Sequence, residues 1–391
     1  MMATSTANAQ TTQKASASAP LKQSQAALIW GRFKQNKAGF LAAIILGLLT
    51  LMVIFAGFLT PYNATSFHAD ANNINFDYVP PMISWIHFDG LQPYVHGLQR
   101  TYNPLTGVKG FVENTEERFD IKFFVEGEPY LLFGFIPSTL HLFGTGQPEG
   151  STGQIFLLGT DRFGRDLFSR ILYGGQMVLA IAPLVVIFSF IIGIFLGGIS
   201  GFYGDKVDTF IQRGVEIAMS LPRLALLLAL SAMLPPQWPA TARFWGIVLI
   251  LAIVGWAPLA RVIRGQVLAL REEEFVQASR ALGASDMRLI FKHILPNTLG
   301  YLIVSATLAV PSVILLESVL SYFGFGLQEP LVSWGLLMKD LTENFLYQIQ
   351  FHPWLILPGF FIFISVFTFN YLGDALRDAV DPFTVSKGDN V

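Results

Sequence analysis

Six apolar runs punctuate the chain, at about Phe40–Leu59, Met177–Gly201, Ile211–Leu230, Phe244–Ala260, Thr298–Leu320 and Pro353–Leu372. A helix of roughly 20 apolar residues crosses a hydrocarbon core, so the pattern predicts six transmembrane helices. The third run is the least clean, because Glu216 and Arg223 interrupt it, and Glu317 lies near the end of the fifth. Residues 60–176, between the first two runs, form one long polar segment. Its turn residues (Pro80-Pro81, Asn103-Pro104, Thr106-Gly107) and its runs Asp120–Val125 and Tyr130–Phe135 predict a small β-containing subdomain. Segments of this length are usually functional or disordered. A contact with a substrate-delivering partner, a lining of the outer mouth and a structural cap are all open readings.

A second polar stretch separates the fourth and fifth runs. Val267–Leu282 predicts a short helix with Phe275, Ala278 and Leu282 on one face. Ala278 and Ser279 keep its surface thin. Gly283 suits the position after a helix where positive φ is wanted, and Ser285 or Asp286 can cap the next helix, which runs to about Leu295 before Pro296. Such an element is either a handle that another protein grips, attached to the fifth span, or an amphipathic loop lying on lipid. The expected domains are a disordered tail at 1–27, the first helix and its approach at 28–60, an extracytoplasmic subdomain at 61–160, a helical core at 161–383 containing the coupling segment 262–297, and a short tail at 384–391.

Composition narrows the class. The chain is 52% hydrophobic and 13% charged with a mean hydropathy of +0.51, whereas soluble domains carry roughly 25% charge. A polytopic membrane protein is expected. The formal net charge of −2 carries no nucleic-acid footprint, and zero Cys excludes disulfides and thiolate metal sites. Lys14, Lys22, Arg32, Lys34 and Lys37 precede the first run without an acid, which places the N-terminus in the cytoplasm. Six crossings return the C-terminus there. The segment between spans four and five is then cytoplasmic too, and it carries Arg261, Arg264, Arg271, Arg280, Arg288 and Lys292. A full-length span behind a long tail is not the pattern of a cleaved signal peptide.

Catalytic motifs are missing. No phosphate loop, nucleophile elbow or His-Glu-x-x-His is present, and no embedded carboxylate pair suggests a proton relay. The chain is expected to be no enzyme and to bind no cofactor, so energy for active transport must come from a partner. Glu113, Glu116, Glu117 and Asp120 do not follow a calcium-loop spacing and read as a solvated acidic face. The six His are scattered, and no metal site is expected. Asp161, Arg162, Gly164, Arg165 and Asp166 read as a charge-paired turn outside span two, or as a contact for substrate or a binding protein. Gly193, Gly197 and Gly201 have the spacing of a close helix–helix contact. Arg223, after Pro222, and Glu317 are candidates for the translocation path, with structural pairing as the other reading.

Residues 274–296 resemble the EAA motif of ABC importer permeases. Gln277-Ala278-Ser279 holds the E-A-A slot, Gly283 the Gly, and His293-Ile294-Leu295-Pro296 the I-x-L-P slot. The variant form resembles the dipeptide/oligopeptide/nickel permease family. So do LGTDRFGRD at 158–166, GFYGDKVD at 201–208 (Asp205 standing where the family has Gly), ESVLSYFGFGLQEPLVSWG at 317–335 and GDALRDAVDP at 373–382. The first of these is characteristic of the C-type subunit. The resemblance covers roughly 30–60 and 155–383 and is silent on most of the insertion. It implies a six-helix type I importer fold in a bacterial inner membrane. It also implies a homologous second permease subunit, two ABC ATPase subunits holding ATP and Mg, an extracytoplasmic peptide-binding protein, and short peptides as cargo. ATPase coupling would fall to Glu274, Phe275, Gln277, Ala278, Ser279, Ala281, Leu282, Gly283 and Pro296. Nickel chelates or another small solute are the alternative within the family. A secondary transporter, a channel or a receptor scaffold lies outside it; the first needs inverted repeats and an ion-coupling pair.

Overall fold

A computed structural model describes residues 25–69, 75–102, 104, 109–148, 150–235 and 237–380. Most of the N-terminal tail, the 384–391 tail and the turn residues Asn103, Thr106 and Gly107 lie outside the described residues. A surface helix α1 (Gln25–Gln35) leads into α2 (Lys37–Ile54), started by the Asn36 side chain, which accepts from Gly39 N. One more turn, α3 (Ala56–Leu59), ends the first crossing.

The insertion that follows is β-rich. Strands β1 (His87–Asp89), β2 (Gln92–Tyr102) and β3 (Lys109–Asp120) form an antiparallel sheet, and β4 (Lys122–Leu132) and β5 (Ile136–Gly144) form a hairpin. The run expected at Asp120–Val125 straddles the junction of β3 and β4. The run expected at Tyr130–Phe135 turns over at Phe133 and Gly134, whose φ values of 55° and 81° close the hairpin. The three-stranded sheet packs its inner residues Val95, Leu98 and Phe111 onto Phe76, Val79, Met82, Ile155 and Phe156. The hairpin lies against the outer end of the first crossing, where Phe133 meets Phe55 edge-on and Phe124 approaches Phe58.

The helical core begins with α4 (Leu167–Tyr203), about ten residues longer at its N-terminus than the second apolar run suggests. Its first turns are buried under the insertion rather than under lipid, so they need no continuous apolar face. Helices α5 (Asp205–Ser220) and α6 (Arg223–Ala232) meet at 86°. The third span, the least clean of the six in sequence, is therefore a broken one. Leu221 and Pro222 are extended, and Pro222 supplies no backbone donor to continue α5. Glu216 lies in the first half of that broken span and pairs with Arg213 on an exposed face of α5. Helices α7 (Ala240–Gly255) and α8 (Ala257–Leu270) meet at 44°, just before Pro258. Then come α9 (Glu274–Ala281), α10 (Asp286–Arg288), a π-helical turn at Leu289–Ile294, a 3-10 turn at Leu295–Thr298, and α11 (Leu299–Tyr322). Short α12 (Trp334–Leu337) and α13 (Phe345–Phe351) cross the outer end, and α14 (Leu357–Val380) closes the bundle. Among the described residues, four helical segments are each long and apolar enough to cross a membrane, and up to six are when each bent pair counts as one.

Helix α4 is the central post. Gly193, Gly197 and Gly201 are buried on the side facing α8, and a Cβ at Gly197 would stand 2.4 Å from the Ala260 carbonyl oxygen. The glycine spacing in the sequence is a packing seam, as small residues let backbones approach. Val178, Ile181, Val185, Ile247, Leu251, Val313 and Ile314 fill the core around it.

Candidate functional site

The two ends of α4 are built differently. At the end away from the insertion, Arg271 stops α8 and donates to the Gly201 and Phe202 carbonyls at 3.2 and 3.3 Å. Arg264 pairs with Asp208 across the same corner. Asp205, where the family has Gly, has φ 43° and so occupies the left-handed region that glycine enters without penalty.

The helix expected from Val267 to Leu282 is two helices. The chain breaks at Arg271–Glu273, and α9 restarts at Glu274 after an extended Glu273. The physical reason is polar competition: the Gln277 amide donates to the Arg271 carbonyl at 3.2 Å, holding the connection in a turn. On α9 only Val276 is buried, among Val267, Leu289 and Ile290. Glu274, Phe275, Gln277, Ala278 and Ala281 face outward, and the Ser279 hydroxyl donates back to the Phe275 carbonyl at 2.8 Å. Leu282 is 89% exposed, and Phe275 and Met287 are exposed apolar neighbours of the same element. Gly283 has φ 85°, as the C′ position requires, with nothing within 4 Å of where a Cβ would stand. Ser285 precedes α10 without a side-chain cap, so the expected capping bond is not made. Pro296 stands apart from this patch, in the 3-10 turn. It has no N–H for the Lys292 carbonyl, and the π turn before it absorbs the break. Through that turn α10 is joined to α11 without an intervening loop, while α9 is linked to α10 by the turn at 282–285.

At the outer end, charge is buried. The Asp161 carboxylate accepts from Phe163 N at 2.8 Å, Arg165 N at 3.0 Å and Arg165 Nε at 2.7 Å. Arg165 also donates to Glu329 at 2.6 Å, and Arg170 reaches the other Glu329 oxygen at 3.0 Å. Both arginine side chains are 4% exposed or less. Burial pushes the Glu329 carboxyl up, but Arg170 and Arg165 outweigh it and hold the group below the usual carboxylate range. Gly164, at φ 76°, lies so close to the His68 carbonyl that a Cβ would stand 2.8 Å from it. Asp166 caps α4 through Ser169 N at 2.8 Å, and burial lifts its carboxyl to about 7. Arg162 pairs with Asp340 at 3.1 Å; burial raises Asp340 to about 6 against that attraction. Trp334 Nε1 and Trp354 Nε1 donate to the Ile171 and Thr160 carbonyls and brace the knot. The five residues expected in the external turn are brought together. Arg170, Glu329, Asp340 and Trp334 complete the knot without having been singled out. Two of them sit in the 317–335 motif, but no spacing rule links that motif to Asp161.

The two candidate path residues are not brought together. Arg223 lines a cavity of about 260 Å³ between α4, α8 and α11, with Ser189, Tyr301, Ser305 and Ser312. Glu317 is 1% exposed and outside that cavity, accepting from the Ser321 hydroxyl at 2.6 Å.

Known proteins share much of this chain. Residues 190–386 match the family described as binding-protein-dependent transport system inner membrane component, and residues 24–81 match the N-terminal TM domain of oligopeptide transport permease C. The dipeptide transport system permease protein DppC of Bacillus subtilis (strain 168) is 39% identical over 225 residues, covering 57% of this chain and 68% of that protein. The oligopeptide transport system permease protein OppC of the same organism is 40% identical over 225 residues, covering 57% and 70%. A solved inward-facing form of the MetNI methionine ABC transporter is 19% identical with a TM-score of 0.41, over 54% of this chain and 96% of that one.

Proposed function

The chain belongs to the family of binding-protein-dependent transport system inner membrane components, and from that membership we propose that it is the permease subunit of an ATP-driven importer of short peptides. It is a multi-pass inner-membrane protein without ATPase motifs. The relatives named as dipeptide and oligopeptide permeases support the cargo. A homologous second permease subunit, two ATPase subunits and an extracytoplasmic binding protein complete the machine. ATP and Mg bind to the ATPase subunits, and both termini of this chain face the cytoplasm.

The observation that carries the coupling step is the construction of α9. It is an outward-facing helix with one buried side chain, Val276, and that side chain rests on the helical run leading into α11. An ATPase gripping Phe275, Ala278 and Leu282 pushes the N-terminus of α11 through Val276 without unfolding a loop. Helix α11 lines the cavity that holds Arg223, so its tilt alternates access to the path. The work comes from a nucleotide-dependent difference in ATPase affinity for two arrangements of this element. Ala278→Trp fills the thin surface without touching the core. Co-purification of the ATPase subunits and uptake of a labelled dipeptide in vesicles test the assignment; both should fall at wild-type permease abundance. Unchanged uptake in that variant would sink the coupling role.

A further inference from the structure

The insertion brings together three side chains that nothing in the membrane core requires. His87 lies on β1, His96 on β2 and Glu113 on β3, and one donor atom from each lies within 4.8 Å of the other two. They are half-buried rather than sealed, so an ion can reach them. Among the described residues this is the one His/Asp/Glu group with such geometry. We propose that His87, His96 and Glu113 form a binding site for one divalent transition-metal ion of the zinc and copper class.

The supporting geometry goes beyond proximity. His96 Nδ1 sits 3.1 Å from the Glu117 carbonyl oxygen. With its proton on Nδ1, His96 keeps the Nε2 lone pair free, which is how metal-binding imidazoles are usually oriented. His87 Nε2 is 2.6 Å from Glu113 Oε2, and the His87 and His96 ring centroids are 5.0 Å apart. A cation entering here displaces the proton shared by His87 and Glu113, which passes to water. Zinc–nitrogen bonds of about 2.1 Å require only small side-chain rotations from these positions. Two imidazoles and one carboxylate suit zinc or copper and not magnesium or calcium, which take oxygen ligands. The nearby guanidinium of Arg118 is already paired with Asp89 and Asp120, so it is not an uncompensated repulsion.

A backbone irregularity makes the cluster. The β2–β3 register shifts between His96 and Gly97, with His96 opposite Arg118 but Gly97 opposite Asn114. Val95 and Leu98 are both buried, an odd spacing that an unbroken strand does not allow. Strand β1 pairs with β2 through only three residue pairs, beginning at His87 and Tyr94. An ion at this site ties β1 across β2 to β3. Three protein ligands also leave a coordination position for water or for a partner's side chain.

The test uses the untagged full-length chain in detergent, with Zn²⁺ alone and then Cu²⁺ alone as probes. Chelator competition should give one Zn²⁺ per chain. His96→Ala and Glu113→Gln should each weaken it by about tenfold or more, and the His87→Ala/His96→Ala double variant should abolish it. His293→Ala, at the cytoplasmic end, should bind as wild type. The Cu²⁺ electron paramagnetic resonance spectrum of the unmodified chain should show coupling to two imidazole nitrogens, a readout that no misfolded variant can confuse. Wild-type zinc affinity in the double variant, loss of affinity in His293→Ala, or fewer than two coupled nitrogens would each overturn the site.

Discussion

The outer and cytoplasmic ends of α4 both carry clustered charge, yet they use it in opposite ways. Outside, Asp161, Arg165, Arg170 and Glu329 are interlocked and the arginines are almost wholly shielded from water. Inside, α9 presents polar and apolar side chains to solvent and holds to the core by Val276. Buried ion pairs are poor sources of net stability but costly to break, so they enforce one arrangement. An exposed helix with a single anchor costs little to move. The contrast fits the proposed roles of the two ends, a fixed frame outside and a moving contact at α9.

The largest effect should come from breaking the frame. Asp161→Ala removes the buried acid that both guanidiniums contact and leaves them only the half-exposed Glu329, and should cost about 3–5 kcal/mol. The readouts are thermal unfolding in detergent and membrane abundance; near-wild-type values would mean that solvent reaches the knot and that the two ends are alike. Next, Gly197→Val forces α4 away from the Ala260 carbonyl, with an expected loss of about 1–3 kcal/mol. Unlike the frame mutation, it should also lower uptake in the molecules that do fold, since it shifts the seam between α4 and α8.

A smaller effect distinguishes the ends by pH. Burial pulls His68, next to the outer knot, down to about 4 from 6.5. The fold therefore favours the neutral imidazole. Its contribution is complete above the unfolded value of 6.5 and is lost as pH falls toward 4. Unfolding temperatures should drop over that window, and His68→Gln should flatten the drop by an amount on the order of 1 kcal/mol. An equal slope in the variant would remove His68 as the cause. The smallest stability effect belongs to Leu282→Asp: this exposed position should change unfolding by less than about 0.5 kcal/mol. ATPase co-purification should nevertheless be lost. Frame and handle would then separate cleanly, one read by stability and the other by binding.

Much of the bundle was legible because a hydrocarbon solvent imposes long apolar runs. Four of the six runs lie within single helices or a helix plus one short turn, the other two straddling the α5–α6 and α7–α8 bends, and the Gly193/Gly197/Gly201 spacing announced the α4–α8 seam. Gly283 marked the end of α9 because positive φ has few tenants. The bends were less legible. Pro222 and Pro258 were visible, yet a proline sets where a helix breaks and not the angle between the halves, which the packing of α6 and α8 against α4 and α11 decides.

Sequence alone determined the class and most of the crossing segments, and marked the polar element between the fourth and fifth runs, since each rests on local periodicity or on a contiguous motif. Tertiary structure alone decided which distant charges meet. Arg165 finds Glu329 across 164 positions, and His87, His96 and Glu113 meet through three strands and one shifted register. Their spacings carry no local period, because the partner of a buried charge or of a ligand is chosen by chain topology. That is why the expected scatter of histidines hid a cluster, and why the external turn was legible as a turn but not as half of a buried ionic knot.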